Sequence, residues 1–137
     1  MPAYNSTNPP YAIYPGDSAI VQNAADGTAG TAPFVAGFRT QQIAIGRRDG
    51  ESLSPYTVQI VFSGAPGAVE ADVCESDIDT AGSYIEAVSG NMTTVDNSQA
   101  VNPVARFTAN SSSARFVTVI WKTAPANAVS ATITIHR

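Results

Sequence analysis

Apolar and polar residues alternate with a period of two along much of this chain, most clearly toward its C-terminal end. Val129, Ala131, Ile133 and Ile135 alternate with Ser130, Thr132, Thr134 and His136. Successive strand side chains point to opposite faces, so this alternation predicts a half-buried strand. Before it, Phe116, Thr118 and Ile120 interleave with Val117, Val119 and Trp121, which makes both faces of that run largely apolar. The segment Thr123-Ala-Pro-Ala-Asn-Ala128 separates the two. The pattern predicts a central strand, a short loop and an antiparallel partner, with the rest of the chain supplying a covering sheet.

Further strands follow from the same rule. Phe34, Ala36 and Phe38 share one face of a first strand region that Gln41–Ile45 continues. Tyr56, Val58, Ile60 and Phe62 alternate with Thr57, Gln59, Val61 and Ser63. Val69, Ala71 and Val73 alternate with Glu70, Asp72 and Cys74, a strand with one wet face, and Tyr84–Val88 returns as its hairpin partner. Met92–Val95 is a weaker candidate, and Val104, Arg106 and Thr108 alternate with Ala105 and Phe107. Gly46–Ser52, Gly64–Gly67, Asp77–Gly82, Asn97–Asn102 and Asn110–Ser113 supply turn chemistry between them. Seven or eight short strands with turns every ~8–12 residues and no helical period predict an all-β fold, an antiparallel, jelly-roll-like β-sandwich. Its expected core includes Phe62, Val73, Phe107, Val119, Trp121 and Ile133.

Residues 1–30 differ from the rest. They carry four prolines, Tyr4, Tyr11, Tyr14 and only two charged side chains, Asp17 and Asp26. Pro9-Pro10 and Pro15-Gly16 oppose a helix, although Ser18–Gln22 could form an edge strand. Ordering such a segment costs about 1–2 kcal/mol per residue in backbone entropy, and its own apolar groups are few. The expectation is an extended arm over 1–30 and a sandwich over 31–137, with Tyr4, Pro9, Pro10, Tyr11 and Tyr14 as the arm's partner-binding residues.

Composition narrows the function. The chain is 44% hydrophobic and only 13% charged, about half the usual charge, which suits a surface that packs against neighbours. Its seven basic residues are scattered and form no stripe for nucleic acid. No run of apolar residues has the length of a membrane helix. The N-terminus lacks the pattern of a signal peptide, and the single Cys74 has no partner for an internal disulfide. Both point to assembly in a reducing cytoplasm.

Candidate chemistry is sparse. Asp77-x-Asp79-x-x-Gly82 has the start of a calcium loop but lacks its later acidic ligand, and a hairpin turn uses the same residues. His136 is the sole histidine and sits beside the C-terminus, a poor position for a catalytic base. Cys74 shares a strand face with Glu70 and Asp72, which disfavours a thiolate. Six of the eleven acidic residues lie between Glu70 and Glu86. They could supply paired acids for glycoside hydrolysis, but a solvated hairpin accounts for them. Trp121 with the tyrosines could stack on sugars, yet Trp121 shares its face with Val117 and Val119. No enzyme, no metal and no cofactor are expected.

Val58-Gln-Ile-Val-Phe-Ser-Gly-Ala-Pro-Gly-Ala68, Glu70-x-Asp72 and Asp77-Ile-Asp-Thr-Ala-Gly-Ser-Tyr84 together resemble a pattern in virion structural proteins of tailed bacteriophages. Arg115-Phe-Val-Thr-Val119 and the Ala-Pro-Ala-Asn-Ala-Val run ending at Val129 fit the same picture, so the resemblance spans residues 56–136. It implies a capsid decoration, or cement, protein on the outer head surface that bridges neighbouring capsid subunits. The implied partners are the major capsid protein and further copies of this chain, a dimer in preference to a trimer, with no nucleic acid or membrane. The implied place is the virion surface, reached by assembly in the host cytoplasm. A receptor- or carbohydrate-binding module of a tail or fibre is the alternative.

Overall fold

A computed structural model describes residues 11–23, 33–46, 50–53, 55–88, 91–98 and 101–137. Its strands are β1 (Tyr11–Ile13), β2 (Ser18–Gln22), β3 (Ile43–Ile45), β4 (Tyr56–Phe62), β5 (Glu70–Ser76), β6 (Ile85–Glu86), β7 (Val104–Ala109), β8 (Phe116–Thr123) and β9 (Ala131–His136). A 3₁₀ turn, Ala81–Ser83, interrupts them between β5 and β6. The strands form two sheets, ordered β1-β3-β8-β5-β6 and β2-β9-β4-β7. All pairings are antiparallel except that of β1 with β3. The protein is an all-β sandwich, as the alternation predicts.

The core is made by the inward halves of the alternating strands. In β4, Tyr56, Val58, Ile60 and Phe62 are buried while Thr57, Gln59 and Val61 are half-exposed. Val58 pairs with Ile135, Ile60 with Ile133 and Phe62 with Ala131, so β4 and β9 present one continuous apolar surface. Val73, Val117, Val119 and Trp121 of the other sheet are also fully buried. Trp121 takes Phe34 and Phe62 edge-on, with ring centroids 5.3 and 6.4 Å away, the geometry aromatic quadrupoles prefer. Of the expected core residues only Phe107 is displaced. It faces inward, but β7 is an edge strand, so the ring is half-buried.

The expected hairpin of β8 with β9 does not form. β8 lies between β3 and β5, and β9 lies between β2 and β4 in the other sheet. The linking loop crosses the sandwich and is held by Ala126 N–H to Ala68 O (3.2 Å) and Asn127 N–H to Pro66 O (3.0 Å). Alternation states that each strand has one buried face. It does not state which sheet the strand joins, because the same side chains point inward in either arrangement.

Other differences have equally local causes. Pro33–Phe38 is a chain of turns rather than a strand: Phe38 N–H bonds Val35 O at 3.1 Å, and Gly37 has φ of +85°. Those turns drop Phe34 into the core and return the chain to β8, where Thr40 N–H bonds Val119 O at 2.9 Å. The expected wet face of β5 is covered, since Asp72 and Cys74 are each 4% exposed. β5 is an interior strand, flanked by β8 and β6. The Tyr84–Val88 strand shrinks to Ile85–Glu86. Met92 is buried and makes only an isolated bridge to Ala71.

The largest revision concerns the N-terminal arm. Residues 11–22, expected as part of it, supply a strand to each sheet: β1 pairs with β3 and β2 with β9. Between them Tyr14-Pro15-Gly16-Asp17 makes a turn with Asp17 N–H on Tyr14 O at 2.8 Å and Gly16 at φ +95°. Proline at the second position and glycine at the third are what such a turn needs. Ile13 is fully buried. Counting apolar residues in the segment alone misses the strand edges of β3 and β9, whose open hydrogen bonds and apolar faces offset the ordering cost.

Candidate functional site

Tyr4, Pro9 and Pro10 lie outside the described residues. Tyr11 opens β1, so its backbone belongs to a sheet. Tyr14 is 42% exposed, but its ring lies against Gly46, where an added Cβ would meet it at 2.6 Å. Glycine at 46 therefore makes the seat for the ring. Their segment closes the sandwich, with β1 joining one sheet and β2 the other.

A concavity of about 710 Å³ lies on the outer face of the five-stranded sheet and is lined in part by Asp72, Cys74, Tyr84, Glu86, Ile120 and Lys122. Alternation along β5 sends Glu70, Asp72 and Cys74 to this side, and Glu86 comes in opposite Cys74. Lys122 Nζ approaches Glu70 Oε2 at 3.6 Å. Burial, then a hydrogen bond to Glu70, then the charges of Glu70 and Glu86 push the Asp72 carboxyl up to about 7, with Lys122 opposing. Asp72 Oδ1 and Glu70 Oε2 are buried without a hydrogen-bond partner among the described residues. The spacing of the two acids on one strand face was visible in the sequence, but a solvated hairpin gave no reason to expect burial.

Cys74 sits within this cluster. Burial first, then Asp72 and Glu86, push its thiol up to about 12, against the nearby Arg39. Arg39 lies over the Tyr84 ring at 5.3 Å and donates to Ala81 O at 3.2 Å. Tyr84 in turn donates its hydroxyl to Asp79 Oδ1 at 2.9 Å. Ser76 and Ser83 bond each other at 2.7 Å and bind Ile78 O. Asp77–Gly82 is thus a hydrogen-bonded turn. Among the described residues no group of three or more His, Cys, Asp or Glu is placed to hold a metal ion.

Trp121 does not form a sugar platform. It is fully buried, and its Nε1–H donates to Gln22 Oε1 at 2.8 Å. His136 is half-buried in β9, registered between Ser18 and Thr57. At the open end of the sandwich, Tyr56 donates its hydroxyl to Glu75, which also accepts from Ser112 at 2.7 Å. Burial and Glu75 hold the Tyr56 phenol well above its ordinary range.

The surface around β6 has another character. Ile78, Ile85 and Val88 are 64, 72 and 58% exposed, three aliphatic side chains on one short hairpin. Isolated exposed aliphatics are ordinary, but several on one segment mark a contact surface. Ile78 and Val88 carry no distinct signal along the chain, since turn and strand patterns absorb them. No protein-family profile, no curated protein and no solved structure matches this chain.

Proposed function

We propose that this chain is a non-enzymatic structural interaction protein, a capsid decoration subunit that binds the outer surface of an assembled head and bridges neighbouring capsid subunits. The observation that carries the reading is the exposure of Ile78, Ile85 and Val88 on one edge of a sandwich with few charges. Such side chains lose little by leaving water for a partner and gain about 25 cal/mol for each Å² of apolar surface covered. The resemblance of residues 56–136 to virion structural proteins supplies the nature of the partner, the major capsid protein.

Co-sedimentation with heads assembled from the corresponding major capsid protein tests the proposal. The chain should pellet with intact heads, and Ile85→Asp with Val88→Asp should leave it in the supernatant while its melting temperature is unchanged. A wild-type chain that stays in the supernatant, or a double variant that still pellets, refutes it. Retention on immobilised glycans by a chain that ignores heads would instead establish the receptor-binding alternative.

A further inference from the structure

Among the described strands four lie at sheet edges, and three are blunted. β1 has three residues. β2 carries a bulge between Ile20 and Gln22. β6 has two residues, and beyond it the Asn91 side chain takes the place of a strand, accepting from Val73 N–H at 2.9 Å and donating to Val73 O at 3.0 Å. Short edges, bulges and covered edges are the usual protections against strand addition. β7 is six residues long with a regular register to β4.

The direction of its backbone groups follows from the bonds at its start. Val104 exchanges both its N–H and C=O with Asp96, at 3.0 and 2.8 Å, so these groups point away from β4. By the two-residue period, Arg106 and Thr108 point theirs the same way. Both residues are exposed, and no described residue bonds those backbone groups. Beside this edge is a groove of about 360 Å³ lined by Glu75, Ala87, Val88, Phe107, Thr108 and Ser112. An extended segment added here would place one side chain in the groove, opposite Phe107, and exchange backbone bonds on either side of it.

We propose that β7 accepts residues 3–6 of a second copy of this chain as an added antiparallel strand, with Tyr4 in the groove beside Phe107. With Tyr4 opposite Phe107, Asn5 falls opposite Arg106 and Ala3 opposite Thr108, the two residues with open backbone groups. The prolines at 2, 9 and 10 lie outside the run that must donate. Addition ends at Ser6, because Thr7 would meet Val104, already bonded to Asp96. The segment's own chain cannot supply it. Ser6 to Tyr11 spans at most about 18 Å, whereas β1 and the far edge lie four strand spacings apart, about 19 Å, with a further ~10 Å between sheets. A neighbour whose β1 edge abuts β7 meets no such limit. Contact between unlike edges leads to rings or rows of subunits rather than a twofold pair.

Sedimentation equilibrium of the full chain, with hydrogen exchange at the Arg106 and Thr108 amides, tests this. No heads are present, so the outcome is separate from the capsid reading. The wild type should self-associate and slow exchange at both amides as concentration rises. Thr108→Pro removes a solvent-directed N–H and should abolish association. Tyr4→Ser should weaken association at least tenfold at an unchanged melting temperature, so it decides the matter if Thr108→Pro does not fold. A wild type that stays monomeric at millimolar concentration overturns the proposal. So does association that Tyr4→Ser leaves intact, or concentration-independent protection that Tyr4→Ser removes, which means docking within one chain.

Discussion

Gln22 and Trp121, 99 residues apart, are joined by a buried 2.8 Å hydrogen bond that links the two sheets through their side chains. Gln22 also donates its Nε2–H to Ala131 O at 3.1 Å, so one amide satisfies the indole and a strand carbonyl together. Gln22→Ala should leave both unsatisfied and cost about 1–3 kcal/mol. Trp121→Ala should cost about 3–5 kcal/mol through the cavity between Phe34 and Phe62. Urea unfolding checks both, and a loss under ~1 kcal/mol for Trp121→Ala contradicts the packing described.

Truncation separates the first ten residues from the next twelve. Removing 1–10 should leave the sandwich intact by circular dichroism, with a melting temperature near that of the full chain. Removing 1–22 should unfold it, since this deletes Ile13, Gln22 and an edge strand of each sheet. A cooperative melt for the shorter chain would show that β1 and β2 are dispensable.

The Asp72 carboxyl gives stability a pH dependence of definite sign. Its pKa is raised from 3.8 to about 7 on folding, so between those values the folded state holds a proton that the unfolded state has lost. Stability therefore falls as pH rises through that window and levels off above it. Asp72→Asn keeps a donor for Glu70 and removes the penalty. The variant should match wild type near pH 4 and exceed it by about 1–3 kcal/mol at pH 8. Equal pH slopes for the two proteins in denaturant titrations would show that Asp72 ionises normally.

Cys74 should resist modification. With its thiol buried and raised to about 12, reaction with a disulfide reagent at pH 8 should proceed only through opening of the fold. The rate should rise with urea in step with unfolding. Fast labelling in native buffer would place the sulfur at the surface.

Individual strands were legible wherever one face is buried and the other wet, as in β4 and β9, because alternation records that directly. The partner of each strand was not. Ile133 and Val119 point into the same core whether β8 and β9 share a sheet or oppose each other, so no periodicity distinguishes the two. The same limit hid β1 and β2, which are stabilised by edges far away in sequence. The Asp72–Glu70 pair was visible as spacing, while its burial depended on β6 and β8 flanking β5. Tyr56 and Glu75 came together only through the packing of one sheet on the other.

The crossing of the Ala124–Ser130 loop has a consequence for synthesis. β8 occupies the middle of one sheet, and β9 holds β2 to β4 in the other. Until residues 116–136 have left the ribosome, β1 and β3 have no link to β5, and β2 has no partner at all. The nascent chain can close little beyond the β1–β3, β4–β7 and β5–β6 pairs, and it exposes their apolar faces until β8 and β9 arrive. Pairings so distant in sequence close slowly, and exposed edges in the interval invite aggregation. The sandwich therefore closes in a single event once β8 and β9 emerge, and a ribosome stalled before β8 would present a chaperone with separate strand pairs rather than a domain.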